Sequence, residues 1–286
     1  MKTVKSAILL SFLILTFLGC KENTSQNKVL APQVIDSSAL KSVSARPVHW
    51  GYSGENGPEK WGSLSPVYNL CAQGQGQSPI NIIPSEKTTQ ANWSFAYKAS
   101  KIAMKHNEHM HEIIDNGHTI QLTLDEGSTF TFNDKVFHLK QAHFHTPSEH
   151  TVNGQSFPME MHWVHQSEDG KLAVVSVLFK EGKPNKNFDM IIAHLPSKKG
   201  DSVIVEDKQL QLDLHLPPDN YAYHYLGSLT TPPCSEGVQW LVLSQPIELS
   251  ATQLQAIASR IGPNNRPVQN INKRVVEIGD LKGQGE

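Results

Sequence analysis

Three histidines, His143, His145 and His162, have the types and the spacing to hold a reactive metal. The first two lie in residues 137–145, a run with Phe, Leu and Ala and no Gly or Pro to break it, which reads as a strand. In a strand residues two apart point the same way, so Gln141, His143 and His145 share one face; in a helix positions 143 and 145 would be about 200° apart. The third lies in the alternating run Met159-Glu160-Met161-His162-Trp163-Val164, reached through Thr146-Pro147-Ser148 and a turn at Asn153-Gly154, a loop length that suits a neighbouring strand. Three neutral imidazoles, with no thiolate or carboxylate, leave the fourth tetrahedral position to water, which is the mark of a catalytic rather than a structural zinc. Ligand histidines also need their second ring N–H anchored, and Gln141 and Glu160 each stand two residues upstream of a ligand on the same face. His109-Met110-His111 repeats the spacing, but among Lys105, Glu108 and Glu112 and without an evident third ligand it reads as a solvated segment.

The surrounding residues resemble the alpha-class carbonic anhydrases, particularly the compact bacterial type. The likeness runs from about residue 49 to 275 through HWGYSGENGPEKW (49–61), QSPINI (77–82), DNGHTIQL (115–122), QAHFHTPSEHTVNG (141–154), MEMHWVH (159–165), LAVVSVLFKEG (172–182), GSLTTPPCSEGVQW (227–240) and NRPVQ (265–269), in family order. This resemblance implies zinc on His143, His145 and His162, Thr230 bonded to the zinc-bound hydroxide, Glu149 accepting the Thr230 proton, and His118 as proton shuttle. It nominates Val164, Val174, Leu229 and Trp240 as an apolar pocket for carbon dioxide, and Cys71 with Cys234 as a disulfide. The implied activity is reversible hydration of carbon dioxide to bicarbonate and a proton. Ala142 stands where the family often has a bulkier residue, and the loop after His145 is of the short bacterial form. The implied fold is a large twisted central sheet with the metal at the base of a cone-shaped cleft.

The elements that must position these residues are short alternating strands, at 120–124, 130–132, 136–145, 160–164, 172–179 and 239–243, separated by Gly, Asn, Asp and Pro turns. They predict a mostly β single domain with a mainly antiparallel sheet and a few surface helices. Helices are expected at residues 187–194 and at 251–261, the second opened by Ser250 with Gln253 three residues on, as in a capping box. A chain of 286 residues, 38% hydrophobic and 18% charged, can bury a full core. Its net charge of −2 gives no sign of nucleic-acid binding, and the sequence holds no internal repeat, phosphate-cradling glycine loop or HExxH helix.

The N-terminus is of a different kind. Lys2 and Lys5 precede an apolar run from residue 7 to 18, too short to span a membrane as a mature helix, and Gly19-Cys20 follows. The segment is a secretion signal similar to that of bacterial lipoproteins, cleaved before a lipidated Cys20; Phe17, unusual three places before that cysteine, keeps plain signal cleavage as the alternative. The expected organisation is a signal at 1–19, a flexible tether at 20–46 rich in Ser, Asn, Gln and Lys, a catalytic domain at 47–280 and a tail at 281–286. That places the protein in the periplasm or cell envelope, with the membrane as partner only through a lipid anchor. Cys71 and Cys234 are then an even pair in an exported protein. A homodimer is left open. Two other function classes compete: a noncatalytic relative, which would lose a ligand histidine or the Thr230 and Glu149 pair, and a zinc hydrolase, which would want a wider groove and a general acid for a leaving group.

Overall fold

Twelve strands of the chain assemble into one sheet, and both faces of that sheet are needed to explain the site. The structure is a computed structural model and describes residues 48–84, 93–106, 118–216 and 221–280. The signal and tether with Cys20, the His109 and His111 segment and the tail all lie outside those residues.

In chain order the strands are β1 (Asn81–Ile82), β2 (Trp93–Ala96), β3 (Ser100–His106), β4 (Ile120–Leu124), β5 (Thr129–Phe132), β6 (Lys135–His145), β7 (Thr151–Val152) and β8 (Gln155–Ser156). They continue with β9 (Met159–Gln166), β10 (Leu172–Glu181), β11 (Ser202–Leu210), β12 (Tyr221–Ser228), β13 (Glu236–Leu243), β14 (Ile247–Leu249) and β15 (Glu277–Asp280). The main sheet runs β11-β3-β4-β6-β9-β10-β13-β12-β15, with β5 beside β6, β2 beside β5 and β14 beside β10. Pairing is antiparallel except where β10 runs parallel to β13 and β14, so the expected mainly antiparallel sheet is mixed at its centre. β7 and β8 form a two-residue hairpin at Asn153-Gly154, both with positive φ (50° and 78°), the backbone a tight primed turn requires.

Alternation sorts the side chains. From β9, Met159, Met161 and Trp163 enter one apolar core, joined by Ala173, Val175, Val177 and Phe179 of β10. The opposite face carries Val164, Val174, Val238, Trp240 and Val242, a second cluster beside the histidines. β6 changes phase on the way: its register with β9 shifts between Leu139 and Gln141, leaving Lys140 exposed. Phe137 and Leu139 before the bulge, and Ala142 and Phe144 after it, thereby all reach the same core. Without that extra residue either Leu139 or Ala142 would face the metal site.

Four α-helices lie among the described residues: α1 (Trp61–Leu64), α2 (Leu70–Gln73), α3 (Asp189–Ala193) and α4 (Ala251–Ile261). The capping box of α4 forms as expected, with Ser250 Oγ accepting from the Gln253 N–H and the Gln253 side chain returning to the Ser250 N–H. The other expected helix is shorter than residues 187–194. It begins as a 3-10 turn at Lys186–Phe188, capped by Asn185, and only Asp189–Ala193 is α-helical.

Candidate metal centre

β6 and β9 are neighbours, and His143 is the register partner of His162. His143, His145 and His162 point to the same face, all three buried, with one ring nitrogen from each within 4.8 Å of the others. The rings stand 5.0 Å (143 to 145), 5.1 Å (143 to 162) and 4.5 Å (145 to 162) apart, centroid to centroid.

The second nitrogen of each ring is fixed by an acceptor. His143 Nδ1 donates to Gln141 Oε1 at 2.8 Å, His145 Nδ1 to the Asn264 carbonyl at 2.8 Å, and His162 Nε2 to Glu160 Oε1 at 2.7 Å. The tautomers follow: His143 Nε2, His145 Nε2 and His162 Nδ1 are left with lone pairs. His145 Nε2 is buried with no hydrogen-bond partner, a position that favours a metal over a proton. Burial, with mutual repulsion among the rings, holds His143 well below the ordinary imidazole pKa; burial takes His145 down to about 4 and lowers His162 as well. Three neutral nitrogen donors converging in a buried site fit zinc. Among the described residues both cysteines are in a disulfide, so no thiolate competes.

Glu160 is held by five donors. His150 Nδ1, His162 Nε2 and Ser176 Oγ donate to Oε1 at 2.6, 2.7 and 2.6 Å, and the N–H groups of Glu149 and His150 donate to Oε2 at 2.8 Å each. Burial would raise its pKa, but His150 and His162 together outweigh burial and keep it well below the ordinary carboxylate value. Behind it, His150 Nε2 meets the Tyr225 hydroxyl at 2.7 Å, and Tyr225 meets Ser78 Oγ at 2.9 Å. Ser78, Tyr225, His150 and Glu160 thus form one buried chain ending on His162.

Glu149 is the contrasting acid. Its Oε1 accepts from the Arg266 N–H at 2.9 Å, its carboxylate accepts from the Thr230 hydroxyl, and it lies 3.6 Å from His145 Nδ1 and 4.0 Å from His162 Nδ1. Burial pushes its pKa up to about 7, against the lowering effect of His162, Arg266 and Thr230. Arg266 is itself buried, with Nη1 donating to Gln77 Oε1 and the Ser78 carbonyl and Nη2 to the Cys71 carbonyl. Cys71 and Cys234 form a disulfide.

The apolar residues assemble beside the rings. Val174 of β10 is the register partner of both Val164 and Trp240, Leu229 packs on the same cluster, and the Trp240 ring lies 4.9 Å from His162. His118 stands apart from the three convergent nitrogens. Half-buried at φ 69°, its ring packs edge-on against Trp50, Tyr52 and His49, with Nε2 3.3 Å from the Trp50 carbonyl. Sequence reasoning had not found Asn264, Ser176, His150, Tyr225 or Arg266. Of these His150, Ser176 and Arg266 lie inside segments that carried the resemblance, without a role being read for them, while Asn264 and Tyr225 lie outside.

A buried three-histidine site on a twelve-stranded sheet has the make-up of a β-fold metalloenzyme, and comparison with known proteins narrows the class. The family model described as eukaryotic-type carbonic anhydrase matches residues 56–279. A carbonic anhydrase of Klebsiella pneumoniae is 40% identical over 250 residues, covering 85% of this chain and 98% of that protein. One from Pectobacterium atrosepticum is 36% identical over 241 residues, covering 84% and 95%. The solved alpha-carbonic anhydrase of Thermovibrio ammonificans, in complex with the inhibitor sulfanilamide, superposes with a TM-score of 0.74 at 38% identity, covering 82% of this chain and 100% of that one. The chain belongs to the eukaryotic-type, or alpha-class, carbonic anhydrase family, and it is an enzyme of that family.

Proposed function

We propose that the protein hydrates carbon dioxide reversibly to bicarbonate and a proton, using one zinc ion on His143 Nε2, His145 Nε2 and His162 Nδ1. The observation that carries this reading is the convergence of those three buried lone pairs, each ring oriented by its own acceptor. Zinc held there would act as a Lewis acid and lower the pKa of a bound water to about 7, the value established for carbonic anhydrase itself.

The protein's own groups aim the reaction. Because the Thr230 hydroxyl spends its hydrogen on Glu149, it can only accept from the nucleophilic oxygen, which fixes where that oxygen's remaining hydrogen points. Val164, Val174, Leu229 and Trp240 offer carbon dioxide, small and nonpolar, an apolar wall beside the rings. His118 takes up the released proton and passes it to buffer, a task suited to an imidazole, which titrates near neutral pH. Export with a lipid anchor at Cys20, and a tether over 20–46 carrying the domain, complete the reading; the apolar run before Gly19-Cys20 supports it. Stopped-flow hydration on protein of known zinc content tests the reaction. A zinc-loaded protein without hydration activity would refute it.

A further inference from the structure

A second cavity, of about 620 Å³, opens beside the bulge where the β12 and β13 register shifts at Gly227 and Ser228. Gln75, Leu226, Glu236, Asn272, Lys273 and Arg274 are among its lining residues, and none of them belongs to the metal centre. Its size falls within the range of about 300–1,000 Å³ typical of small-molecule sites.

Its charge is unbalanced. Arg274 is fastened by three carbonyls, donating from Nε to Ile271 at 3.0 Å, from Nη1 to Leu226 at 3.2 Å and from Nη2 to Asn270 at 2.7 Å, while its guanidinium lies over the Tyr225 ring, 5.6 Å from the centroid. A guanidinium carries five N–H groups, so two remain for a ligand, and they are held in place before it arrives. Among the described residues neither Arg274 nor Lys273 is in an ion pair. The one carboxylate on the wall, Glu236, has its Oε1 already occupied by the Gly76 N–H at 2.7 Å and by Gln77 Nε2 at 3.0 Å. Two cations therefore face one anion, Glu236, whose charge already acts on Arg274, and the wall keeps one positive charge in excess.

The rest of the wall is apolar or bare backbone. Leu226 is 50% exposed there and supplies an apolar surface to the wall, and Gly227 and Gly237 present no side chain. At Gly227 a Cβ would collide with Ser78 Oγ and the Tyr225 ring on the buried side, so no larger residue fits there. An inorganic oxyanion would satisfy the cations and leave most of the volume and Leu226 unfilled. A neutral apolar molecule would leave the cations unpaired.

We propose that this cavity binds a small organic carboxylate with an apolar ring or chain, its carboxylate on Arg274 and Lys273 and its apolar part against Leu226. Benzoate is a suitable probe, titrated into zinc-loaded protein whose metal centre is filled with sulfanilamide so that the shifts cannot come from there. Amide NMR should show saturable shifts at Gly76, Gly227 and Gly237. Lys273→Glu, an exposed change, and Arg274→Gln should each weaken binding at least tenfold, and benzyl alcohol, which lacks the charge, should bind at least tenfold more weakly than benzoate. Absence of saturable shifts at these glycines, or wild-type affinity in either variant, would overturn the proposal.

Discussion

Strand β9 carries two histidines three residues apart, His162 and His165, on opposite faces of the sheet. Both are buried, and burial drives both below the ordinary imidazole pKa, His165 to about 3. Their surroundings differ. His165 lies against the core cluster, its Nε2 2.8 Å from the Tyr97 hydroxyl, its ring stacked on Tyr97 with centroids 5.8 Å apart and tilted against Phe130 at 5.8 Å. His162 has Nε2 tied to Glu160 while Nδ1 stays bare beside two other bare imidazole nitrogens. Neutrality is thus common to both faces and cannot be what makes a site. The difference is convergence: several lone pairs brought to one point, each ring held by an acceptor that is itself held.

The largest expected effect separates those faces. His143→Ala, His145→Ala or His162→Ala should lose zinc and hydration activity together, whereas His165→Phe should keep one zinc per chain and most of the activity, whatever it does to stability; metal analysis beside stopped-flow assays decides it. Next comes aiming. Thr230→Ala should retain zinc and lose about 10²-fold in kcat/KM, the scale on which small misplacements act, and Thr230→Ser should lose less. If the alanine variant kept wild-type kinetics, the Thr230 and Glu149 pair would have no part in orienting the nucleophile.

The acceptor behind His162 should matter less than the ring it holds. Glu160→Gln should weaken zinc affinity about 10–100-fold, measured by competition with a chelator, because a neutral amide replaces an anion held by five donors. The core histidine instead shows itself in acid. Since the folded pKa of His165 lies below its unfolded value, its contribution to stability is fully present above about pH 6.5 and is lost as pH falls toward about 3, by about 1.4 kcal/mol per pH unit. His165→Phe should flatten denaturant-derived stability across that window by up to one proton's worth, and an unchanged slope would mean that His165 is not held neutral. Smallest is His118→Ala, expected to lower kcat only in dilute buffer, to leave kcat/KM nearly unchanged, and to recover with added imidazole.

What could be read from the sequence follows the range of the interaction. Ile120–Leu124 and Ala251–Ile261 were legible to the residue, since alternation and a capping box are local. Gln141 and Glu160 were legible because a two-residue offset in a strand fixes the face. The bulge at Lys140 was not: nothing in Leu139-Lys140-Gln141 announces the extra residue, and it is the core on the far face that demands it. Asn264, 119 residues from His145, contributes a backbone carbonyl, which no side-chain pattern can signal. Tyr225 and Ser78 meet side chain to side chain across 147 residues, a pairing only the folded sheet brings together. The resemblance in the sequence had supplied the Cys71 to Cys234 pairing, which the structure contains; that crosslink closes a loop of 163 residues, about 5 kcal/mol in the chain-entropy account.

The central claim, that three convergent imidazoles on one face of the sheet make a single catalytic zinc site, is tested most directly by adding zinc stepwise to the metal-stripped protein and measuring carbon dioxide hydration at each step. Activity should rise in proportion to zinc and break at one equivalent per chain. Hydration by the metal-free protein, or one tightly bound equivalent that leaves the protein inactive, would contradict it.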